Sequence, residues 1–226
     1  YGTTGGLGTM PHAAVGYAAS LLESEWEDSL GSREPLNEEF KTAKDYSRKF
    51  GTLKSVQLYV AANPSDTNVT ALVDYFGQEV TDSILVADWF YNTAKLHEKQ
   101  GKKLSVRIDT HGGRFLEGLD YKTSVKVVGE WLRIPGADEY EIVRHILGNE
   151  TYNFAGDQKI DEVRKLLFAQ GVSAANIIHM RRSLSHAGFP QVKIVASSGF
   201  DLFKCQIFAM AQVPVDVIGT GSFLPK

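Results

Sequence analysis

Four short apolar runs rich in Val and Ile alternate with segments of helical periodicity, and this alternation constrains the fold more than any other feature. The runs are Val69-Thr70-Ala71-Leu72-Val73-Asp74, Leu104-Ser105-Val106-Arg107-Ile108-Asp109, Val192-Lys193-Ile194-Val195-Ala196 and Val215-Asp216-Val217-Ile218. They are nearly all apolar until a polar residue appears at the C-terminal end, as in a parallel strand covered by helices. Three apolar stripes with helical spacing lie between or beyond them. Val80, Ile84, Ala87, Tyr91 and Ala94 form one, and Phe200, Phe203, Ile207 and Met210 another. Ile177, Met180 and Leu184 form the third, with Ser173 as N-cap, Gly188 as C-terminal stop and Pro190 beyond. Lys122 to Gly171 reads as mostly helical without a strand, interrupted by a loop over Asn149 to Asp157. Such alternation predicts an α/β fold with a parallel sheet, either a closed (β/α) barrel or an open, doubly wound sheet. Polar or glycine-rich residues follow every predicted strand, which favours a barrel whose mouth loops build one site. An open sheet also binds ligands at its strand C-termini.

With 226 residues, 43% hydrophobic, the chain can bury the core of one large α/β domain. With a net charge of −3 nothing suggests a nucleic-acid or acidic-membrane surface, so local donors must hold any anionic ligand. Cys205, the single cysteine, allows no internal disulfide and reads as a buried, inert thiol in a packed helix. No apolar run reaches membrane-span length and no charged-then-apolar leader opens the chain, so a cytoplasmic protein is expected. Tyr1 opens without an initiator methionine, and Lys226 follows a glycine turn where another helix is expected. Residues 1–226 therefore read as one incomplete α/β-barrel domain from a longer polypeptide.

The last two strand ends carry the strongest physical signal for a site. Ala196-Ser197-Ser198-Gly199-Phe200 follows one strand and Gly219-Thr220-Gly221-Ser222-Phe223 the next. Glycines let backbone N–H groups approach an anion, hydroxyls add donors, and paired loops after the final strands of a barrel commonly hold a phosphate. Arg107 and Asp109 fall on the same face of their strand. They can pair structurally, or divide the work: Arg107 gripping a carboxylate or phosphate, Asp109 accepting sugar hydroxyls or orienting hydrated Mg²⁺. His111 either touches ligand or fills a glycine loop. Asp74 either contacts substrate or caps the helix starting near Gln78, and Tyr75-Phe76 reads as core. His179 and His186 sit at exposed-looking helical positions, and no zinc motif is present.

Near the N-terminus, Leu7-Gly8-Thr9-Met10-Pro11-His12-Ala13 places a histidine where a strand turns into a helix. Thr9 can cap that helix and Pro11 suits its first turn. The helix N-terminus favours a neutral, nucleophilic imidazole and welcomes a phosphoryl group. The alternative is a helix-start histidine bonded to a nearby carbonyl.

Taken in order, Gly8-Thr9-Met10-Pro11-His12-Ala13, Leu72-Val73-Asp74, Val106-Arg107-Ile108-Asp109-Thr110 and the Ser197-Ser198-Gly199 and Gly219-Thr220-Gly221 loops resemble the nicotinate phosphoribosyltransferase family. The resemblance spans almost the whole chain. It implies a type II phosphoribosyltransferase barrel that joins nicotinate to 5-phosphoribosyl 1-diphosphate, giving nicotinate mononucleotide and diphosphate in NAD salvage. It also implies coupling to ATP, a co-substrate, through a phosphohistidine at the position of His12, with Mg²⁺ carried without direct protein ligation. Arg107 and Asp109 match the phosphoribosyl and nicotinate end, with Asp74 and Thr110 as further substrate contacts. Ser198, Gly199, Gly219, Thr220 and Gly221 match the 5′-phosphate cradle.

The loop Thr110-His111-Gly112-Gly113 departs from the serine-glycine-aspartate run of many members. The N-terminal domain and first barrel segments of the family have no counterpart here. The resemblance implies a homodimer, its site completed by the missing portion or a second chain, and the isolated piece is expected to be inactive. Alternatives are a nicotinamide- or quinolinate-type transferase, or a non-catalytic paralogue that binds phosphoribosyl ligands. A sugar-phosphate isomerase or aldolase barrel would need a lysine or glutamate base at a strand end, and none stands out in the sequence.

Overall fold

The structure, a computed structural model, describes residues 43–148 and 157–220, with side chains described for 51–148 and 159–220. In chain order the elements are α1 (Ala43–Ala62), β1 (Asn68–Leu72), α2 (Glu79–Asp88), a π-helical turn (Trp89–Thr93), α3 (Leu96–Gln100) and β2 (Lys103–Ile108). There follow α4 (Tyr121–Trp131), α5 (Glu139–Leu147), α6 (Asp157–Phe168), α7 (Ala174–His186), β3 (Lys193–Ala196), α8 (Leu202–Met210) and β4 (Val217–Ile218). The fold is α/β with a parallel four-stranded sheet of order β1-β2-β3-β4. Val195 is paired with Val217 and Ala196 with Ile218. All four predicted strands form, and each predicted run overhangs its strand by one or two residues. No helix among the described residues is long and apolar enough to cross a membrane.

Two compact units are present, with the boundary inside β2, between Val106 and Arg107. In the first, α1 packs on α2 and on β1, around Val56, Val69, Ala71, Val86, Ala87 and Phe90. The buried face of α2 is Glu79, Asp82, Ser83, Val86 and Ala87. This corrects the predicted stripe, in which Val80, Ile84 and Tyr91 are only half-buried. Polar groups on the buried face are bonded inside: the Thr52 hydroxyl donates to Asp82 Oδ2 at 2.5 Å, and the Ser83 hydroxyl to the Glu79 carbonyl at 2.6 Å. A Cβ at Gly51 would come within 2.8 Å of the Phe76 ring, so α1 needs a glycine where that ring lies against it. Phe76 is half-buried and Tyr75 is 42% exposed, so the predicted Tyr75-Phe76 core pair is split.

In the second unit α4 packs on α6 and α7, and α8 on α5 and α6. The core is Val128, Ile142, Val163, Leu167, Phe168, Ile177, Ile178, Met180, Phe200 and Phe208. The predicted stripe and Ser173 N-cap of α7 hold. The Ser173 hydroxyl, however, donates to Asn176 Oδ1 at 3.0 Å and bonds no helix N–H. Asp157 opens α6 rather than closing a loop, and the rest of that predicted loop, residues 149–156, lies outside the described residues. Asp216 falls just before β4. Its carboxylate accepts from the Ile194 N–H at 2.8 Å and from Arg181 at 2.6 Å, while Arg181 also donates to the Pro190 and Val192 carbonyls. That network ties α7 to the start of β3 and explains why a charged residue interrupts an otherwise apolar run.

Candidate functional site

The site residues of the second unit gather at the C-terminal ends of β2, β3 and β4. Alternation along β2 puts Arg107 and Asp109 on one face. Arg107 Nη2 donates to Asp109 Oδ2 at 2.7 Å, and Arg107 Nε donates to the Ser197 hydroxyl at 2.9 Å. Both side chains of the ion pair are partly exposed, so the structural pairing forms while both groups stay within reach of solvent. The Ser197 N–H donates to the Ile108 carbonyl at 3.0 Å and the Gly219 N–H to the Ala196 carbonyl at 2.8 Å, which puts the three strand ends in register. A Cβ at Gly219 would meet Ser197 Cβ at 3.3 Å, so glycine suits the close approach of these loops.

Beyond β3 the backbone turns left-handed twice, at Ser198 (φ 86°) and Gly199 (φ 63°). Glycine takes that conformation freely, whereas serine is strained in it. Asp201 then caps α8 by accepting from the Lys204 N–H at 2.7 Å.

Ser198, Gly199 and Thr110 line a cavity of about 680 Å³. Gly112, Phe115, Tyr121, Lys165, Gln170 and Lys204 are also on its wall. Asp120 caps α4 through the Thr123 N–H and so places Tyr121 there. The Gly171 N–H, donating to the Arg114 carbonyl at 2.9 Å, draws the loop after α6 onto the loop after β2.

Lys204 is the site residue that the sequence did not disclose. It is only 7% exposed, and its ammonium donates to the Ser198 carbonyl at 3.1 Å. It lies over the faces of Phe200 at 4.3 Å and Phe208 at 5.6 Å. Burial pushes its pKa down to about 8, against the opposing pull of Asp201, Cys205 and Asp109. A signal was present: 200, 204, 207 and 208 have helical spacing, so Lys204 falls on the apolar face. The predicted stripe through Phe203 and Met210 is corrected accordingly, because those two are half-buried while Lys204, Ile207 and Phe208 are buried. Cys205 is half-buried, not buried.

The other predicted residues divide. His12 and Gly221 lie outside the described residues. Thr110 is buried, Gly219 exposed and Thr220 half-buried. Arg107, Asp109, Gly219 and Thr220 stand at the strand ends but do not line the cavity. Asp74 belongs to the first unit, where its carbonyl accepts from the Gly77 N–H; the N-cap of α2 is Gln78, so Asp74 does not cap that helix. His111 is exposed, and its Nδ1 accepts from the Gly113 N–H at 3.0 Å, which makes it a turn former in its own loop. His186 is exposed as expected, but His179 is half-buried, and burial holds its pKa below the ordinary imidazole value. Among the described residues no group of three or more His, Cys, Asp or Glu is placed to hold a metal ion. No family model, curated protein or solved structure matches the chain.

Proposed function

We propose that the chain carries the phosphoribosyl-binding portion of a nicotinate phosphoribosyltransferase with a (β/α) barrel. The observation that carries the reading is the convergence of Arg107, Asp109 and the Ser197-Ser198-Gly199 and Gly219 loops at three adjacent strand ends. The sequential order β1-β2-β3-β4, with no reversal, supports a barrel over a sheet with a switch point.

In the proposed reaction the pyridine nitrogen of nicotinate attacks C1 of the ribose, the C1–O bond breaks, and diphosphate departs. Such chemistry is positioning plus charge stabilisation. Arg107 is the guanidinium that neutralises an arriving anion, by exchanging Asp109 for it, and Asp109 is thereby released to the sugar hydroxyls. Mg²⁺, when bound, neutralises the leaving diphosphate; Asp109, a single carboxylate, fits it only through water. ATP coupling rests on the sequence around His12, whose imidazole nitrogen would take the γ-phosphoryl group and release ADP. A homodimer in the cytoplasm, with the site completed by a further segment or a second chain, belongs to the same reading.

Calorimetric titration of the chain with 5-phosphoribosyl 1-diphosphate and Mg²⁺ tests it. Binding that Arg107→Ala weakens at least about tenfold, the scale of a lost charge-assisted bond, is expected. Acid-labile labelling from γ-labelled ATP, lost in His12→Ala, is expected once the missing N-terminal portion is supplied. A chain that binds no 5-phosphoribosyl 1-diphosphate sinks the proposal.

A further inference from the structure

The described residues that line the cavity of the second unit include two lysines, Lys165 and Lys204, and no carboxylate. In a chain of net charge −3 this is a local reversal of sign. The remaining polar wall is neutral, with the Thr110 and Ser198 hydroxyls and bare backbone at Gly112 and Gly199. A Cβ at either glycine would meet nothing within 4 Å, so both face open space. The two lysines differ: Lys165 is exposed at the rim, whereas Lys204 is built into the wall. A lysine buried only to brace a loop would spend its charge on the protein, but this ammonium has one carbonyl, two aromatic faces and a cavity.

We propose that Lys204 is the internal cation of a phosphomonoester subsite in this cavity, held in place by the Ser198 carbonyl and binding a phosphate group beside Thr110, Ser198 and Gly199. The proposal deepens the phosphoribosyl reading by naming a charged group for its phosphate end. The nearby carboxylates are engaged elsewhere: Asp201 caps α8 and Asp109 pairs with Arg107. Asp201, Cys205 and Asp109 are the ionisable groups acting on the ammonium, Lys165 of α6 reaches the same cavity, and α5, also packed on α8, contributes none of them. At pH 8 part of the Lys204 population is neutral, so a bound dianion draws a proton from buffer onto Nζ.

The test is calorimetry of the 226-residue chain with ribose 5-phosphate and with inorganic phosphate at pH 8, in two buffers of different ionisation enthalpy. Both ligands are expected to bind with uptake of a fraction of a proton, ribose 5-phosphate more tightly. Lys204→Met should weaken binding about tenfold or more and abolish the uptake, the size of a lost charge-assisted contact. Lys204→Arg should bind within about threefold of the parent and take up no proton, because arginine stays charged. Melting curves establish that both variants fold; if Lys204→Met does not, the arginine variant's lost proton uptake with retained binding carries the test. Lys204→Met binding as the parent does, no phosphate binding by the parent, or borohydride trapping of a phosphorylated aldehyde on Lys204 would each overturn the proposal. Lys204-dependent binding of ribose 5-phosphate without binding of 5-phosphoribosyl 1-diphosphate would sink the transferase reading and leave this subsite standing.

Discussion

Two lysines in this molecule are almost equally buried and do opposite things. Lys102 is 4% exposed and lies in the first unit, at the turn into β2. Its ammonium donates to the Pro64 carbonyl at 2.7 Å and to the Asp66 carbonyl, which join α1 to β1. The phenol of Tyr59 closes the same corner on the Asp66 carboxylate at 2.5 Å, and that bond raises the Tyr59 pKa above its ordinary value. Lys204, at 7% exposure in the second unit, has a single carbonyl and borders a cavity. Burial alone does not separate a structural cation from a functional one. What separates them is how many of the donors the backbone already uses.

The largest break in this comparison is expected from Lys102→Met. Methionine fills the volume but removes both bonds to this partly exposed corner, a loss of about 3 kcal/mol at roughly 1.5 kcal/mol for each bond to a charged donor. Urea denaturation should show it as a lowered midpoint with an unchanged slope. A loss below about 1 kcal/mol would mean that water replaces the ammonium there and that Lys102 is no more structural than Lys204.

Lys204 predicts a dependence of stability on pH. Its pKa is 10.5 in the unfolded chain and about 8 when folded. Below pH 8 both states carry the proton, and the cost of burying the charge is present in full. Between pH 8 and 10.5 the unfolded state binds more protons, so this residue's contribution to stability rises with pH. Across that window the parent should gain on the order of 2–3 kcal/mol relative to Lys204→Met, as the buried ammonium is discharged. Guanidinium melts at half-unit pH steps measure it, and parallel curves for parent and variant would show that the ammonium is solvated.

The contrast also explains what the sequence made legible. The strands were readable because buried parallel strands are written in local composition, and all four form where Val and Ile cluster. The convergence of Arg107, Asp109 and Ser197 was readable in kind, since polar residues at strand ends share one edge of a sheet. Helix rotation was not. The buried face of α2 carries Asp82, which Thr52 reaches from thirty residues away, and that of α8 carries Lys204, turned back to Ser198. The first depends on a partner that no periodicity reveals, the second shows only as a lysine within the 200, 204, 207 and 208 spacing, and both hide a polar group on the face a hydrophobic stripe would claim. Caps at Asp120, Asp138 and Asp201 went unread for a simpler reason: an aspartate before a helix looks like any exposed acid until its N–H partner is known.

The smallest expected effect sharpens the comparison at the loop that Lys204 holds. Ser198 carries a side chain at φ 86°, where glycine has no penalty. Relieving that conformation in Ser198→Gly should stabilise the second unit by about 0.5–1 kcal/mol, less the greater entropy of the unfolded glycine. Ser198→Ala keeps the strain and removes only the hydroxyl, so its stability should stay within about 0.5 kcal/mol of the parent. Paired thermal melts distinguish the two. A gain in the glycine variant with weaker binding of ribose 5-phosphate in both would mean that the loop spends stability to present Ser198 to a ligand. A glycine variant no more stable than the alanine one would place the turn among ordinary connections, and Lys204 would then brace nothing that is strained.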